Sequence, residues 1–257
     1  MRSTVLSQAE MARLQLIRLI ATDMDGTVTM QGKLTSVWLK MLEKLAIAGI
    51  QTVIVTGRSA GWVSGLAHYL PVAGAISENG GIFFSSNSSV ESWLVPISDL
   101  QDHRAQLAQM FAQLKAEFPH LQESLDNRYR LTDWTFDVQG LTQLELEQIS
   151  DRCQENGWSI TYSTVQVHIK YPQQTKANGL FKVLDQYFPT LTSANLVTVG
   201  DSPNDESLFD PKNFPLSVGV ANVREYGDHL KYHPTYITTA PEADGFCELA
   251  QLLIANR

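Results

Sequence analysis

The sequence predicts an α/β core built on a parallel sheet and interrupted by an α+β insert. Short apolar strands alternate with helical spacing near both ends of the chain, the signature of βαβ units in a buried parallel sheet. The middle of the chain, from about 85 to 171, carries short alternating strands, and the last two nearly touch, which is antiparallel patterning. The 257 residues are enough for one large domain or two modest ones.

Taken in order, LIRLIATD at Leu16–Asp23 and QTVIVT at Gln51–Thr56 read as strands. Between them Thr35–Ala48 has helical spacing in Val37, Leu39, Leu42, Leu45 and Ala46, and Gly49 follows as a C-cap. Ala73–Ser77 is a third strand, and the polar run Ser85–Ser89 is a candidate connection to the insert. In the insert the pattern predicts a helix over Asp99–Phe118, a strand over Arg128–Val138, a helix over Thr142–Asn156, and a hairpin of Trp158–Ser163 with Val165–Lys170. Alternation then returns with a helix at Ala177–Phe188 and strands at Leu196–Gly200, Leu216–Val220 and Thr235–Thr238. Within the insert, Trp134, Phe136, Val138, Trp158, Ile160, Tyr162, Val165, Val167 and Ile169 should share the apolar face. Asp133, Thr135, Asp137, Gln166, His168 and Lys170 fall on the other face, which would meet solvent or a ligand.

Composition narrows the function. The formal net charge of −8 disfavours non-specific nucleic-acid binding, although a divalent cation could still reverse the field locally for an anionic substrate. Cys153 and Cys247 match no zinc or CxxC spacing and read as plain thiols. No apolar run reaches a membrane span, and Met1–Arg18 is broken by Gln8, Glu10 and Arg13, unlike a leader. These observations lead us to expect a cytoplasmic protein with no membrane or nucleic-acid partner, its oligomeric state open between monomer and homodimer.

Chemistry-bearing residues cluster where strands end. Asp23-Met24-Asp25-Gly26-Thr27 follows the first strand, and ligands in open α/β sheets bind outside such carboxyl ends. Asp23 could attack phosphorus, Asp25 could protonate the leaving oxygen, and Gly26 would let the backbone pass close to a phosphate. Gly200-Asp201-Ser202-Pro203-Asn204-Asp205 follows another strand. Asp23, Asp201 and the carbonyl of Asp25 would give a hard cation such as Mg²⁺ a minimal oxygen set. Thr56-Gly57-Arg58 offers a hydroxyl and backbone N–H groups to phosphoryl oxygens. Lys176 enters by charge balance. A carboxylate approaching a phosphate dianion meets repulsion of roughly 4 kcal/mol per unit pair at ~4 Å and an effective dielectric of ~20, and a cation and an ammonium would offset it.

As a set, DMDGT, TGR, Lys176 and GDSPND resemble, in order and placement, the four motifs of the haloacid dehalogenase superfamily of phosphohydrolases. The insert, of roughly 85 residues, and the Asn79-Gly80 turn resemble the cap of its Cof-like, subclass IIB branch. The resemblance implies a Rossmann-like core of 1–84 and 172–257 with a cap of 85–171. It implies a phosphatase of small phosphate monoesters, such as sugar phosphates, with Mg²⁺ as cofactor. Asp23 would be nucleophile and metal ligand, Asp25 acid/base and metal ligand through its carbonyl, and Asp201 a metal ligand. Thr56 and Lys176 would hold the phosphoryl group; Lys176 is preferred to Lys170 because it precedes a helix. Gly26, Thr27, Gly57, Arg58, Asn204 and Asp205 would complete the site, Asp205 orienting Lys176 or a metal-bound water. Arg128, Arg130, Asp133, Asp137, His168 and Lys170 are the cap candidates for substrate contact. A phosphomutase of a sugar phosphate and a non-catalytic ligand sensor are the alternatives.

Overall fold

The computed structural model describes residues 13–163 and 165–257. The stretch 1–12, read above as unlike a leader, and Thr164 of the hairpin lie outside them. The chain forms an eight-stranded sheet and a separate three-stranded sheet.

The main sheet runs β11-β10-β9-β1-β2-β3-β4-β5. Its central strand β1 (Leu19–Thr22) pairs in parallel with β2 (Gln51–Val55) on one side and β9 (Leu196–Gly200) on the other. From β2 the parallel order continues to β3 (Gly74–Ser77), and from β9 to β10 (Ser217–Gly219) and β11 (Tyr236–Ile237). The chain therefore leaves β1 in one direction and returns on its other side, which makes the β1/β9 boundary a topological switch point, the usual ligand crevice of such sheets. Two antiparallel strands, β4 (Ile82–Ser85) and β5 (Ser92–Trp93), finish one edge. The polar run Ser85–Ser89 is thus mostly the link between β4 and β5 rather than the entry to the insert.

Alternation along the strands sorts the core into two layers. Ile20, Ile54, Val197 and Val199 pack under three helices: α1 (Ser36–Ile47), α2 (Ala60–Tyr69) and α6 (Glu242–Ala255). Leu19, Ala21, Val53 and Val55 face the other way, onto Leu180, Val183 and Leu184 of α5 (Lys176–Tyr187). The helix boundaries follow their caps. Thr35 accepts from the Trp38 N–H at the start of α1, and Gly49, at φ 75°, follows its end.

The insert holds α3 (Leu100–Glu117), β6 (Trp134–Asp137), α4 (Gln143–Glu155), β7 (Ser159–Tyr162) and β8 (Gln166–Lys170), with sheet order β6-β8-β7, all antiparallel. Asp99 caps α3, and a Thr142–Glu145 capping box starts α4. Phe136, Val167 and Ile169 pack on Leu107, Phe111, Leu114 and Ile149, with Trp134, Val138, Ile160 and Tyr162 at the margin. The long strand expected over Arg128–Val138 is shorter than its alternation suggested. Leu125–Tyr129 coils into a 3-10 turn, so Arg128 lies outside the sheet. Part of the polar face is withdrawn from solvent: His168 and Lys170 are only 2% and 4% exposed, where this face lies over the carboxyl end of the main sheet, while Asp137 at its far end stays exposed.

Candidate active site

Three strand ends converge at the switch point. Asp23 immediately follows β1, and its N–H donates to the Val199 carbonyl of β9. Thr56 follows β2 and is pinned through its N–H to the Ile76 carbonyl of β3. Asp201 follows β9. Lys176 opens α5 and reaches across to this point, its Nζ donating to Asp23 Oδ1 at 2.5 Å and to Asp205 Oδ1 at 2.6 Å. Asp205 Oδ2 accepts from the N–H groups of Asp201 and Ser202, so this carboxylate is fully used in fixing the loop and the ammonium. Thr27 Oγ1 donates to Asp201 Oδ1 at 2.9 Å.

Gly26 is dictated by this crowding. It sits at φ 80°, and a Cβ there would lie 2.5 Å from Asp201 Oδ2. Arg58 forks onto Asp25, Nε to Oδ2 at 2.8 Å and Nη2 to Oδ1 at 2.7 Å, holding that carboxylate at the mouth of the site. A small pocket is lined by Asp23, Asp25, Thr56, Gly57, Arg58 and Asn204, among others, with His168 closing it from the insert.

Electrostatically the centre is acidic and buried. Oxygens of Asp23, Asp201 and Asp205 lie within 4.8 Å of one another, and all three residues are buried. Burial, then the charge of Asp205, pushes the Asp23 carboxyl up to about 7 even though Lys176 pulls the other way. Asp201 is also raised well above the usual carboxylate range, by burial and then by Asp23 and Asp205. Burial pushes the Lys176 ammonium down, but the Asp205 and Asp23 carboxylates more than reverse this, so it stays charged. Three carboxylates against one ammonium leave a deficit of positive charge, and oxygen donors alone surround it. The donor chemistry fits a hard divalent cation.

Of the insert residues, Arg130 is fully buried and donates to the Gly57 carbonyl (2.9 Å), Asp126 (2.9 Å), Gln166 (2.9 Å) and both Asp133 oxygens. Asp133 also meets His168 Nδ1 at 2.8 Å. This network ties the insert to the Thr56–Arg58 turn and leaves Arg130 and Asp133 no free reach toward a ligand. Arg128 is exposed and stacks on Tyr129, and Asp137 is exposed beside Ser124, so neither lines the pocket. His168 and Lys170 alone of the six reach cavities at the core.

Three polar residues of the site were given no role there from the sequence, although Asn79 was noted as part of a turn. Asn222 Nδ2 donates to Asp201 Oδ2 at 2.8 Å and to the Gly26 carbonyl at 3.0 Å. Its position just past β10 repeats the strand-end rule, which could have flagged it. Asn79 Oδ1 accepts from Asn204, while its Nδ2 is buried without a partner beside Gly57. Glu78, fully buried at φ 51°, accepts from Ala60 N–H at the start of α2 and from Leu131 and Thr132 of the insert. No local sequence signal announces that role.

The doubly wound sheet thus brings buried carboxylates and an ammonium together at its switch point, beneath the insert. A model of haloacid dehalogenase-like hydrolases matches residues 20–133. The phosphoglycolate phosphatase 1 of Saccharolobus solfataricus is 27% identical over 246 residues, covering 93% of this chain and 96% of that protein. Among solved structures, Thermoplasma acidophilum 0175 superposes with a TM-score of 0.71 at 21% identity, covering 92% of this chain and 98% of that one. A sucrose-phosphatase from Synechocystis sp. PCC6803, solved with sucrose and phosphate, gives 0.66 at 15% identity, covering 91% and 97%. Residues 20–133 thus match the haloacid dehalogenase-like hydrolases, and over nearly its whole length the chain is similar to a phosphatase. No helix among the described residues is long and apolar enough to cross a membrane.

Proposed function

We propose that this protein hydrolyses small phosphate monoesters through a phospho-aspartate on Asp23 and depends on Mg²⁺. The observation that carries this reading is the Lys176 ammonium bridging Asp23 and Asp205 inside a buried acidic cluster that also holds Asp201. In the proposed first step an Asp23 oxygen attacks phosphorus, the bond to the leaving oxygen breaks, and Asp25 gives that oxygen a proton. In the second, Asp25 takes a proton from water, the water oxygen attacks phosphorus, and inorganic phosphate leaves with Asp23 restored. Thr56, the N–H groups of the following turn, Lys176 and the unpartnered Asn79 amide would receive the phosphoryl oxygens. Mg²⁺ would be held by Asp23, Asp201 and the Asp25 carbonyl, and would supply the positive charge that the carboxylates and phosphate lack. Asn204 and Asp205 keep the loop and the lysine in place.

The names of similar proteins offer two substrate classes, phosphoglycolate and sugar phosphates. The catalytic proposal serves either. Asp23→Asn tests it: release of inorganic phosphate from an aryl phosphate with Mg²⁺ should stop, with melting temperature within a few degrees of the parent. Turnover surviving in a folded Asp23→Asn protein would end the proposal.

A further inference from the structure

Strand β8 turns His168 and Lys170 to the core from one face of the insert. His168 is committed: Nδ1 meets Asp133, and its ring lies against Gly57, where a Cβ would approach Cε1 to 3.1 Å. Lys170 is buried, yet among the described residues its ammonium makes no hydrogen bond and no ion pair. Burial draws it down to about 8, and the one charge opposing this is Asp133, which Arg130 and His168 already occupy. A buried ammonium without a partner is unfavourable unless something anionic completes it.

Lys170 lines a cleft of about 240 Å³ between insert and core. This cleft has one lining residue, Asn204, in common with the pocket at Asp23, so the two are separate cavities. Its core side is the start of α5, with Ser207 from the turn after β9. The helix is 12 residues long, and its first N–H groups carry the positive end of its dipole. Ser207 Oγ accepts from the Ala177 N–H, which leaves its own O–H to donate. Thr161, paired with His168 across β7 and β8, brings a second hydroxyl from the insert. The Lys176 ammonium is taken up by Asp23 and Asp205. Glu206, the one carboxylate in the lining, accepts from the Lys231 and Tyr232 N–H groups, and its charge does not act on Lys170.

We propose that this cleft is a second anion site, distinct from the pocket at Asp23, and that it takes a small oxyanion such as inorganic phosphate or sulfate between the Lys170 ammonium, the Thr161 and Ser207 hydroxyls and the first turn of α5. Donors that converge from several directions suit an anion with several oxygens better than a halide. Lys170 and Thr161 belong to the insert, and Ser207 and α5 to the core, so the bound anion ties one to the other without touching Asp23. The site stands whether or not the chain turns over a phosphate ester.

Isothermal titration calorimetry of the full chain with inorganic phosphate tests this, in EDTA and at constant ionic strength set with chloride. Under chelation the Asp23 pocket keeps three carboxylates without a cation, so it repels anions. The parent should bind one phosphate with a Kd of about 1 mM or tighter. Lys170→Met should weaken this by about 10-fold or more, and Lys170→Arg, which keeps the charge, should retain part of it. Thr56→Val, which alters the Asp23 pocket instead, should leave it within about 3-fold. Phosphate should also raise the parent's melting temperature by about 3 °C more than that of Lys170→Met, a difference in which the general effect of the salt cancels. Lys170→Gln gives the same readings should Lys170→Met fail to fold. No binding by the parent at up to about 20 mM phosphate overturns the proposal. So does binding that persists unchanged in Lys170→Met or Lys170→Gln, or that is lost in Thr56→Val, since the anion would then sit elsewhere.

Discussion

Glu78→Gln is the most informative perturbation of how the insert is held. The carboxylate sits where the core hands the chain toward the insert, and it collects donors from both sides. Oε1 accepts from Ala60 N–H at 2.8 Å and from Leu131 N–H at 3.0 Å; Oε2 accepts from the Thr132 N–H and hydroxyl, each at 2.6 Å. Three backbone N–H donors and a hydroxyl favour an ionised carboxylate, while burial and then Asp133 push its pKa up. An amide of the same shape has one oxygen, so its NH₂ must face backbone donors on one side. Whichever way it turns, at least one buried N–H loses its acceptor, at about 1–3 kcal/mol, and the remaining bonds lose their charge-assisted strength. Relief of a buried charge near Asp133 offsets part of this. A net loss of about 3 kcal/mol is expected, or roughly 6–12 °C in melting temperature for a chain of this size. Thermal unfolding followed by circular dichroism reads the stability, and steady-state kinetics should show a raised KM as the insert loses its anchor. A melting temperature within about 2 °C of the parent, with KM unchanged, would refute the view that Glu78 fastens insert to core.

Further outcomes follow from the acidic centre. Asn222→Ala removes the amide that positions Asp201 and should raise the Mg²⁺ concentration for half-maximal activity by about 10- to 100-fold, read by metal titration. Gly26→Ala would force a methyl against Asp201 at positive φ, and should abolish activity and cut the stabilisation by Mg²⁺. In metal-free protein, Asp23 keeps its proton up to about pH 7 when folded but loses it near 3.9 when unfolded. The folded state thus binds more protons in that window, and this contribution to stability, full below about pH 4, is lost as pH rises through 7, at up to ~1.4 kcal/mol per unit. Mg²⁺ competes with that proton, so it should raise the melting temperature more at pH 8 than at pH 5. His168, held below its usual range by burial, acts in the opposite sense below about pH 6.5 but equally with and without metal. An equal Mg²⁺ increment at both pH values would count against the assignment of the centre.

The parallel half of the fold was legible because buried strands are continuous apolar runs. Leu196–Gly200 was readable to the residue, and the α1, α3 and α4 boundaries fall at Thr35, Asp99 and Thr142, side chains that cap the first turn. Asp23, Asp25, Asp201 and Lys176 were legible because strand ends and charge balance are local facts. What failed to show is what depends on tertiary partners. β5 is two residues long, below any periodic signal, and its pairing with β4 decides which sheet Ser85–Trp93 belongs to. The sequence reading assigned no helix to α2, where two glycines and low amphipathicity mask it, nor to α6. There Ala243, Phe246, Cys247, Ala250 and Leu253 recur at helical spacing and could have been caught. Glu78 and Arg130 join segments distant along the chain, and nothing adjacent to either announces its partner.

The pocket at Asp23 is a narrow cleft lined from both the core and the insert. The insert is held over this cleft by hydrogen bonds to the core. The contacts that close it divide into two sets. Glu78 and Gln174 act at the hinge, where Gln174 Nε2 donates to the Glu78 carbonyl and to Thr132 Oγ1. Arg130 acts over the site, through the Gly57 carbonyl. Lifting the insert about its hinge can preserve the first set while it breaks the second, and the Arg130 guanidinium keeps Asp126, Asp133 and Gln166 when it lets go. Of the hydrogen bonds named here, such a lift would break the one from the Arg130 guanidinium to the Gly57 carbonyl, worth roughly 1.5–3 kcal/mol. A closure of that strength can be outweighed by binding energy, so the same turn that would receive the phosphoryl oxygens also reports, through one backbone carbonyl, whether the lid is shut.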